Sequence, residues 1–125
     1  MSPITLSAAT FPTTTAQDGI VLVDFWASWC PPCRAFAPVF DAAAEKNPDI
    51  VFGKVDTEAE PELSQSLEIM SIPTLMAFRD GILVYSEAGA LPAPELTRLI
   101  AAVRNLDMDE VRADLPADEK SERSA

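Results

Sequence analysis

The sequence predicts an α/β domain in which a mixed β-sheet is covered by helices. Three observations carry this. Ile20–Trp26 (IVLVDFW) is apolar throughout except for Asp24, the pattern of a strand buried on both faces. Phe36, Val39, Phe40 and Ala43 then fall at i, i+3, i+4 and i+7, the spacing of one helix face. Farther on, Asp80–Gly81 separates two strand-like runs by only two residues, a hairpin signal. The resulting order, βα-βαβα-ββα, requires both parallel and antiparallel strand neighbours.

Each element has a local reason. Ile4–Leu6 is a short strand, and Ser7 is placed to cap a brief helix constrained by Pro12. After Ile20–Trp26, the long helix opens at Pro31–Pro32 and runs to about Asn47–Pro48, with a kink expected at Pro38. Ile50–Asp56 (IVFGKVD) is the next strand, and Pro61–Leu67 a short helix opened by proline in its first turn. Thr74–Arg79 and Ile82–Glu87 form the hairpin. Leu96, Leu99, Ile100 and Val103 mark an amphipathic helix starting at Pro94.

The 125 residues suit one core, and two divisions are expected: a folded domain over 1–105 and an acidic, mostly disordered tail over 106–125. Within that tail Asp107–Leu115 reads as a frayed helix. The tail as a whole carries −4 of the net charge of −11. A chain this acidic is not expected to bind nucleic acid or an anionic membrane surface. It has no histidine, which excludes Ser–His and Cys–His nucleophile pairs and His-ligated metals. Its two cysteines cannot complete a four-coordinate zinc site or a multi-disulfide scaffold. Met1–Phe11 lacks the basic and apolar regions of a secretory signal, and no apolar run approaches a membrane span, so a cytoplasmic location is expected.

Cys30–Pro31–Pro32–Cys33 stands where the buried strand ends and the long helix begins. A structural disulfide there would close a very short loop, stabilising by roughly 1.9 kcal/mol on the chain-entropy formula. Zinc lacks its other ligands. The remaining reading is a redox-cycling dithiol, the usual meaning of C-x-x-C near a βαβ pattern. Cys30 at the helix N-cap would have its thiolate favoured by the helix terminus and act as the attacking thiol. Cys33, one turn in, would point inward, be less accessible, and resolve the mixed disulfide.

Asp24 is the second informative residue, because a carboxylate inside an apolar strand costs several kcal/mol unless protonated or paired. Burial should raise its pKa toward neutrality, fitting it to exchange a proton with Cys33. Strand alternation aligns Lys54 as its partner if the two strands are neighbours; a structural ion pair is the plainer alternative. Met70, Met76 and Met108 read as core or surface residues, and Glu58–Ala59–Glu60 with Glu62 as a solvated helix face.

These residues together resemble the thioredoxin family. The likeness lies in Val23–Arg34 (VDFWASWCPPCR), Pro38, Lys54-Val55-Asp56, Ser71-Ile72-Pro73-Thr74, the Phe78–Gly81 hairpin and Gly89–Ala90, spanning roughly residues 3 to 105 in the family's order. The resemblance implies a thioredoxin fold: a central mixed five-stranded sheet flanked by helices, ordered first, third, second, fourth, fifth, with the last two strands antiparallel to the rest. It implies a cis Ile72–Pro73 bond lying against the active-site disulfide, with the backbone beside it pairing with an extended substrate. It also implies a substrate-binding rim of Trp29, Pro31, Ile72, Pro73, Gly89 and Ala90 around an exposed sulfur.

The chain departs from the family at Pro31, where thioredoxins usually carry glycine. Pro31 removes a backbone N–H that could have reached the Cys30 thiolate. Pro32 disfavours the helical region for Pro31, so the first turn is expected to be strained or late. Pro31, Pro32 and Arg34 are therefore the residues expected to modulate the site. The implied activity is a thiol–disulfide oxidoreductase reducing protein disulfides through Cys30 and Cys33, with Asp24 and Lys54 managing protons. The implied partners are disulfide-containing substrate proteins and a flavin-containing, NADPH-dependent thioredoxin reductase. No bound cofactor or metal is expected, and the chain is expected to be a monomer. The competing reading is a client-binding module with an incidental dithiol; a weaker one has the acidic tail dock near the site as a redox switch.

Overall fold

The computed structural model describes residues 2–115, so the expectation of disorder over 116–125 lies outside the described residues. Five strands, β1 (Ile4–Thr5), β2 (Ile20–Trp26), β3 (Val51–Asp56), β4 (Thr74–Arg79) and β5 (Ile82–Ala88), form one sheet ordered β1-β3-β2-β4-β5. β3 runs parallel to both β1 and β2, and β4 is antiparallel to β2 and β5, so β4 alone is reversed and β5, contrary to expectation, runs in the direction of the first three. β2, apolar except for Asp24, is therefore the central strand, and six of its seven residues are buried.

Alternation along β2 sends its side chains into two cores. Ile20 and Leu22 pack with Phe36 and Phe40 of α2 (Pro31–Lys46) and with Leu96 and Ile100 of α4 (Ala93–Arg104). Val21, Val23 and Phe25 pack on the other face with Phe11 of α1 (Phe11–Ala16) and Leu63 of α3 (Pro61–Ser66). Asp24 shares the parity of Leu22 and so lies beneath α2, the helix that carries the cysteines.

Several boundaries differ from expectation. α1 begins at Phe11, with Thr10 at its N-cap; the Ser7 hydroxyl instead serves the preceding turn, accepting from the Thr10 N–H at 3.3 Å. α2 continues through Pro38, which interrupts the hydrogen-bond ladder without ending the helix. At Asp80–Gly81 both residues have positive φ (53° and 81°), the twist a two-residue hairpin needs and the reason glycine occupies the second place. Asp80 also closes that turn onto the start of β2, its Oδ1 accepting from the Gly19 N–H at 2.8 Å.

Packing continues beyond Asn105. Leu106 joins the α2/α4 core, and in place of the expected frayed helix there is a capped one, α5 (Met108–Ala113). Asp107 Oδ1 accepts from the Asp109 and Glu110 N–H groups, Met108 is buried, and Arg112 lies 3.6 Å from Asp80. Two apolar side chains and one cap thus dock a segment whose composition is mostly polar.

Candidate active site

β2 delivers the chain to a short loop, Ala27–Trp29, and α2 begins immediately after Cys30. Cys30 is extended (φ −92°, ψ 109°) and occupies the N-cap of α2. Its carbonyl accepts from the Arg34 N–H at 3.1 Å, and its Sγ accepts from the Cys33 N–H at 3.2 Å. The expected delay of the first turn does not occur: the helix starts at Pro31. These two bonds fix the turn, and the preset φ of proline suits the first helical position, which outweighs the restriction Pro32 places on its neighbour.

Cap geometry also locates the missing donor. A side chain at the N-cap accepts from the second or third N–H of the helix. Pro32 holds the second place, so Cys33 is left as the donor at the sulfur; Pro31 sits at the first place, whose N–H contributes less to such a cap.

Cys30 and Cys33 form a disulfide with Cα atoms 5.2 Å apart. Accessibility does not distinguish the two, contrary to expectation: their exposures are 2% and 3%. Both sulfurs share an apolar seam with Ala27, against which Trp26 and Ile72 pack. Ile72–Pro73 is cis, as the resemblance implied, and the Ile72 carbonyl oxygen lies 3.7 Å from Cys30 Sγ. Pro73 itself is below 2% exposed, so it lies under the rim and adds no free surface. Its carbonyl accepts from the Gly89 N–H at 2.7 Å. Gly89 has φ 117°, a conformation that excludes a side chain, so this loop approaches the proline as bare backbone. Trp29, Pro31, Gly89 and Ala90 are exposed around the seam, and Ile72 is half-buried.

Trp29, 62% exposed, is held in place by a residue that sequence reasoning assigned to a solvated helix face. Its indole Nε1 donates to Glu58 Oε1 at 2.8 Å, and the Glu58 N–H donates to Asp56 Oδ1 at 2.9 Å. Glu58 lies in the turn after β3, before α3 begins. Glu60 is likewise engaged, its Oε1 accepting from the Ala8 N–H at 2.7 Å. The only sequence clue was an acid two residues beyond Asp56, at the end of a strand adjacent to β2.

Asp24 is wholly buried, and neither carboxylate oxygen has a hydrogen-bond partner. Its carboxyl is raised to about 7 by the balance of burial, which pushes it up, Lys54, which pulls it down, and Asp41 of α2, which pushes it up. Lys54 is its register partner across the β2/β3 pair, but the ammonium sits 5.4 Å above the Trp26 ring. Lys54 therefore acts on Asp24 through its field and not as a hydrogen-bonded partner. Trp26, Cys33, Arg34 and Lys54 line a shallow cleft of about 100 Å³ beside the inner cysteine. Arg34 is exposed and donates to the Ser28 carbonyl at 3.3 Å. The site thus combines a helix-capped sulfur, a second thiol one turn away, and a buried acid poised near neutrality.

Residues 2–102 match the Thioredoxin family profile. A Streptomyces coelicolor protein provisionally designated thioredoxin 2 is 54% identical over 111 residues, which are 89% of this chain and 83% of that one. Thioredoxin 1 of Synechococcus elongatus is 45% identical over 94 residues, covering 74% and 88% of the two chains. Among solved structures, a mutant thioredoxin from Halobacterium salinarum superposes with a TM-score of 0.77 at 29% identity, covering 84% of this chain and 93% of its own. Plasmodium falciparum thioredoxin gives 0.73 at 32% identity, covering 79% and 97%.

Proposed function

This chain belongs to the thioredoxin family and is a thiol–disulfide oxidoreductase with a redox-active Cys30–Cys33 pair; from that premise we propose a division of labour within the site. Cys30 is the attacking thiol and Cys33 the resolving one. The observation that carries this assignment is the Cys33 N–H directed at Cys30 Sγ, which favours negative charge on that sulfur.

The Cys30 thiolate attacks one sulfur of a target disulfide, forming a mixed disulfide and releasing the first target thiolate. Cys33 then gives up its proton and attacks Cys30 Sγ. The Cys30–Cys33 bond forms, the mixed disulfide breaks, and the second target thiolate leaves, two electrons having passed to the target. Asp24 is the acceptor of the Cys33 proton, because a carboxyl with a pKa near 7 is ready both to take and to return it. Lys54 is a positioning charge that keeps Asp24 from rising further. Trp29, Pro31, Ile72, Gly89 and Ala90 form the surface that receives the target, with Pro73 holding Ile72 beneath them; Pro32 and Arg34 tune the Cys30 thiol.

Electrons return to the oxidised pair from a flavin-containing, NADPH-dependent reductase. Among the described residues no helix is long and apolar enough to cross a membrane, which is compatible with work in the cytoplasm. Insulin-disulfide reduction tests the reading. Wild-type protein should turn over, Cys30→Ser should be inactive, and Cys33→Ser should accumulate the mixed disulfide. Activity in Cys30→Ser equal to wild type would overturn it.

A further inference from the structure

We infer that the cleft beside Cys33 binds a small anionic sulfur nucleophile, which opens the disulfide by attacking the inner sulfur. This is a second reactivity of the pair, and it rests on the assignment of Cys30 as the better thiolate. Protein targets meet the apolar rim; the small anion has a route of its own.

Size and charge select the occupant. The cleft holds about 100 Å³ between Trp26, Ala27, Cys33, Arg34, Ala37 and Lys54. A water molecule takes about 30 Å³ in the liquid, so the space suits a few waters or one small oxyanion and is too small for a peptide segment. Two of the lining residues are cations and none is an acid, in a chain of net charge −11. Among the described residues neither cation is held in an ion pair. The Lys54 ammonium lies 5.4 Å from the centre of the Trp26 ring, and Arg34 donates to the Ser28 carbonyl. The N-terminal end of α2 adds partial positive charge, and its first turn carries no acid.

Position selects the sulfur. Cys30 caps α2, Cys33 follows within the first turn, and Ala37 comes one turn later on the same face. The cleft at Ala37 thus lies beyond Cys33, on the side away from Cys30. Displacement at sulfur is in line, so this is the side from which a nucleophile opens the bond. Cys30 does not line the cleft, and the Ile72 carbonyl stands 3.7 Å from its sulfur.

The leaving group agrees. Attack on Cys33 expels Cys30 Sγ, the sulfur that accepts from the Cys33 N–H at 3.2 Å, and a thiol of lower pKa leaves faster. With sulfite as nucleophile, its sulfur bonds to Cys33 Sγ, the Cys30–Cys33 bond breaks, and the electron pair goes to Cys30. Sulfite is oxidised to an S-sulfonate on Cys33, Cys30 is reduced to the thiolate, and the two negative charges are conserved.

The test treats the oxidised full-length protein with sulfite, alkylates the released thiol, quenches in acid and maps the products by peptide mass. The S-sulfonate should lie on Cys33 and the alkyl group on Cys30. The rate should fall as salt is added, because the local cations govern the encounter against the repulsion of the whole chain. Lys54→Gln should weaken that fall. Ala37→Leu, which fills the cleft, should slow the sulfite reaction about tenfold, equivalent to about 1.4 kcal/mol of barrier. Insulin turnover and cleavage by dithiothreitol should be unchanged in that variant. An S-sulfonate on Cys30, no reaction with sulfite, or a wild-type rate that rises with salt overturns the inference. So does an unaltered salt dependence in Lys54→Gln, or an Ala37→Leu rate that is unchanged with sulfite or equally slowed with dithiothreitol. The mapping and the wild-type salt dependence need no variant, so they decide the matter if Ala37→Leu does not fold. Failure of the wild type to reduce insulin would instead overturn the reductase reading.

Discussion

Asp24 lies inside β2 with neither oxygen hydrogen-bonded, so replacing it by asparagine removes a charge that contributes nothing to holding the fold together. Its carboxyl is raised from 3.8 to about 7 in the folded protein. Between these values the folded state keeps a proton that the unfolded chain releases, so this group makes the protein less stable as pH rises through that window. Below it the cost vanishes; above about 7 both states have released the proton and the cost is constant. A shift of about three units at about 1.4 kcal/mol each gives about 4 kcal/mol at the upper plateau. Asparagine does not titrate, and its buried amide lacks partners much as the protonated carboxyl does, so that penalty largely cancels between the two. Asp24→Asn should therefore change stability little at about pH 4 and be stabilising by up to about 4 kcal/mol above pH 7. Urea unfolding of the oxidised protein across this range measures the difference without interference from thiol titration. The charges facing Asp24 are Lys54 and Asp41, and Asp41→Asn should move the rise of the curve to lower pH. A difference between wild type and Asp24→Asn that does not change with pH would refute the reasoning.

Three further outcomes are expected. Glu58→Ala frees the Trp29 indole and should raise KM for protein disulfides about threefold, while the reduction potential stays fixed; the Trp29 Nε1–H resonance reports the lost bond. Pro32→Ala returns the second helical N–H to the cap and should lower the Cys30 thiol pKa by about one unit, more than Pro31→Ala does, as read from the pH dependence of alkylation. Truncation after Asn105 removes Leu106, Met108 and the Arg112–Asp80 contact, and should cost about 2 kcal/mol in thermal or urea unfolding with insulin turnover unchanged; a loss of turnover would revive the redox-linked tail.

Much of this was legible because it is local. The apolar run of β2, the helical spacing after Cys30 and the paired positive-φ residues at Asp80–Gly81 each report on a neighbourhood of a few residues, and the sheet follows from their order. Asp24 stood out because one charge in an apolar run is a local anomaly. What escaped depends on distant chain. The seam over Cys30 is closed by Ile72, 42 residues away, so the sulfur's burial was not visible beside the cysteine. Glu58 is joined to Trp29 across 29 residues, and composition alone made it one more surface acid. α5 was discounted for its acidity, although Leu106, Met108 and Arg112 are enough to dock it.

The docking of α5 has a practical bearing on how the protein can be handled. Arg112 meets Asp80 at the hairpin end of β4, whereas the opposite end of that strand, Thr74, follows the proline beside the disulfide. Six residues of strand separate the two by about 20 Å. A tether, a fluorophore or a fused module joined just after Ala113 therefore starts from the pole remote from Cys30. Molecules anchored to a surface in this way would present the sulfur pair outward, whereas attachment through the loop bearing Ile72 would obstruct it.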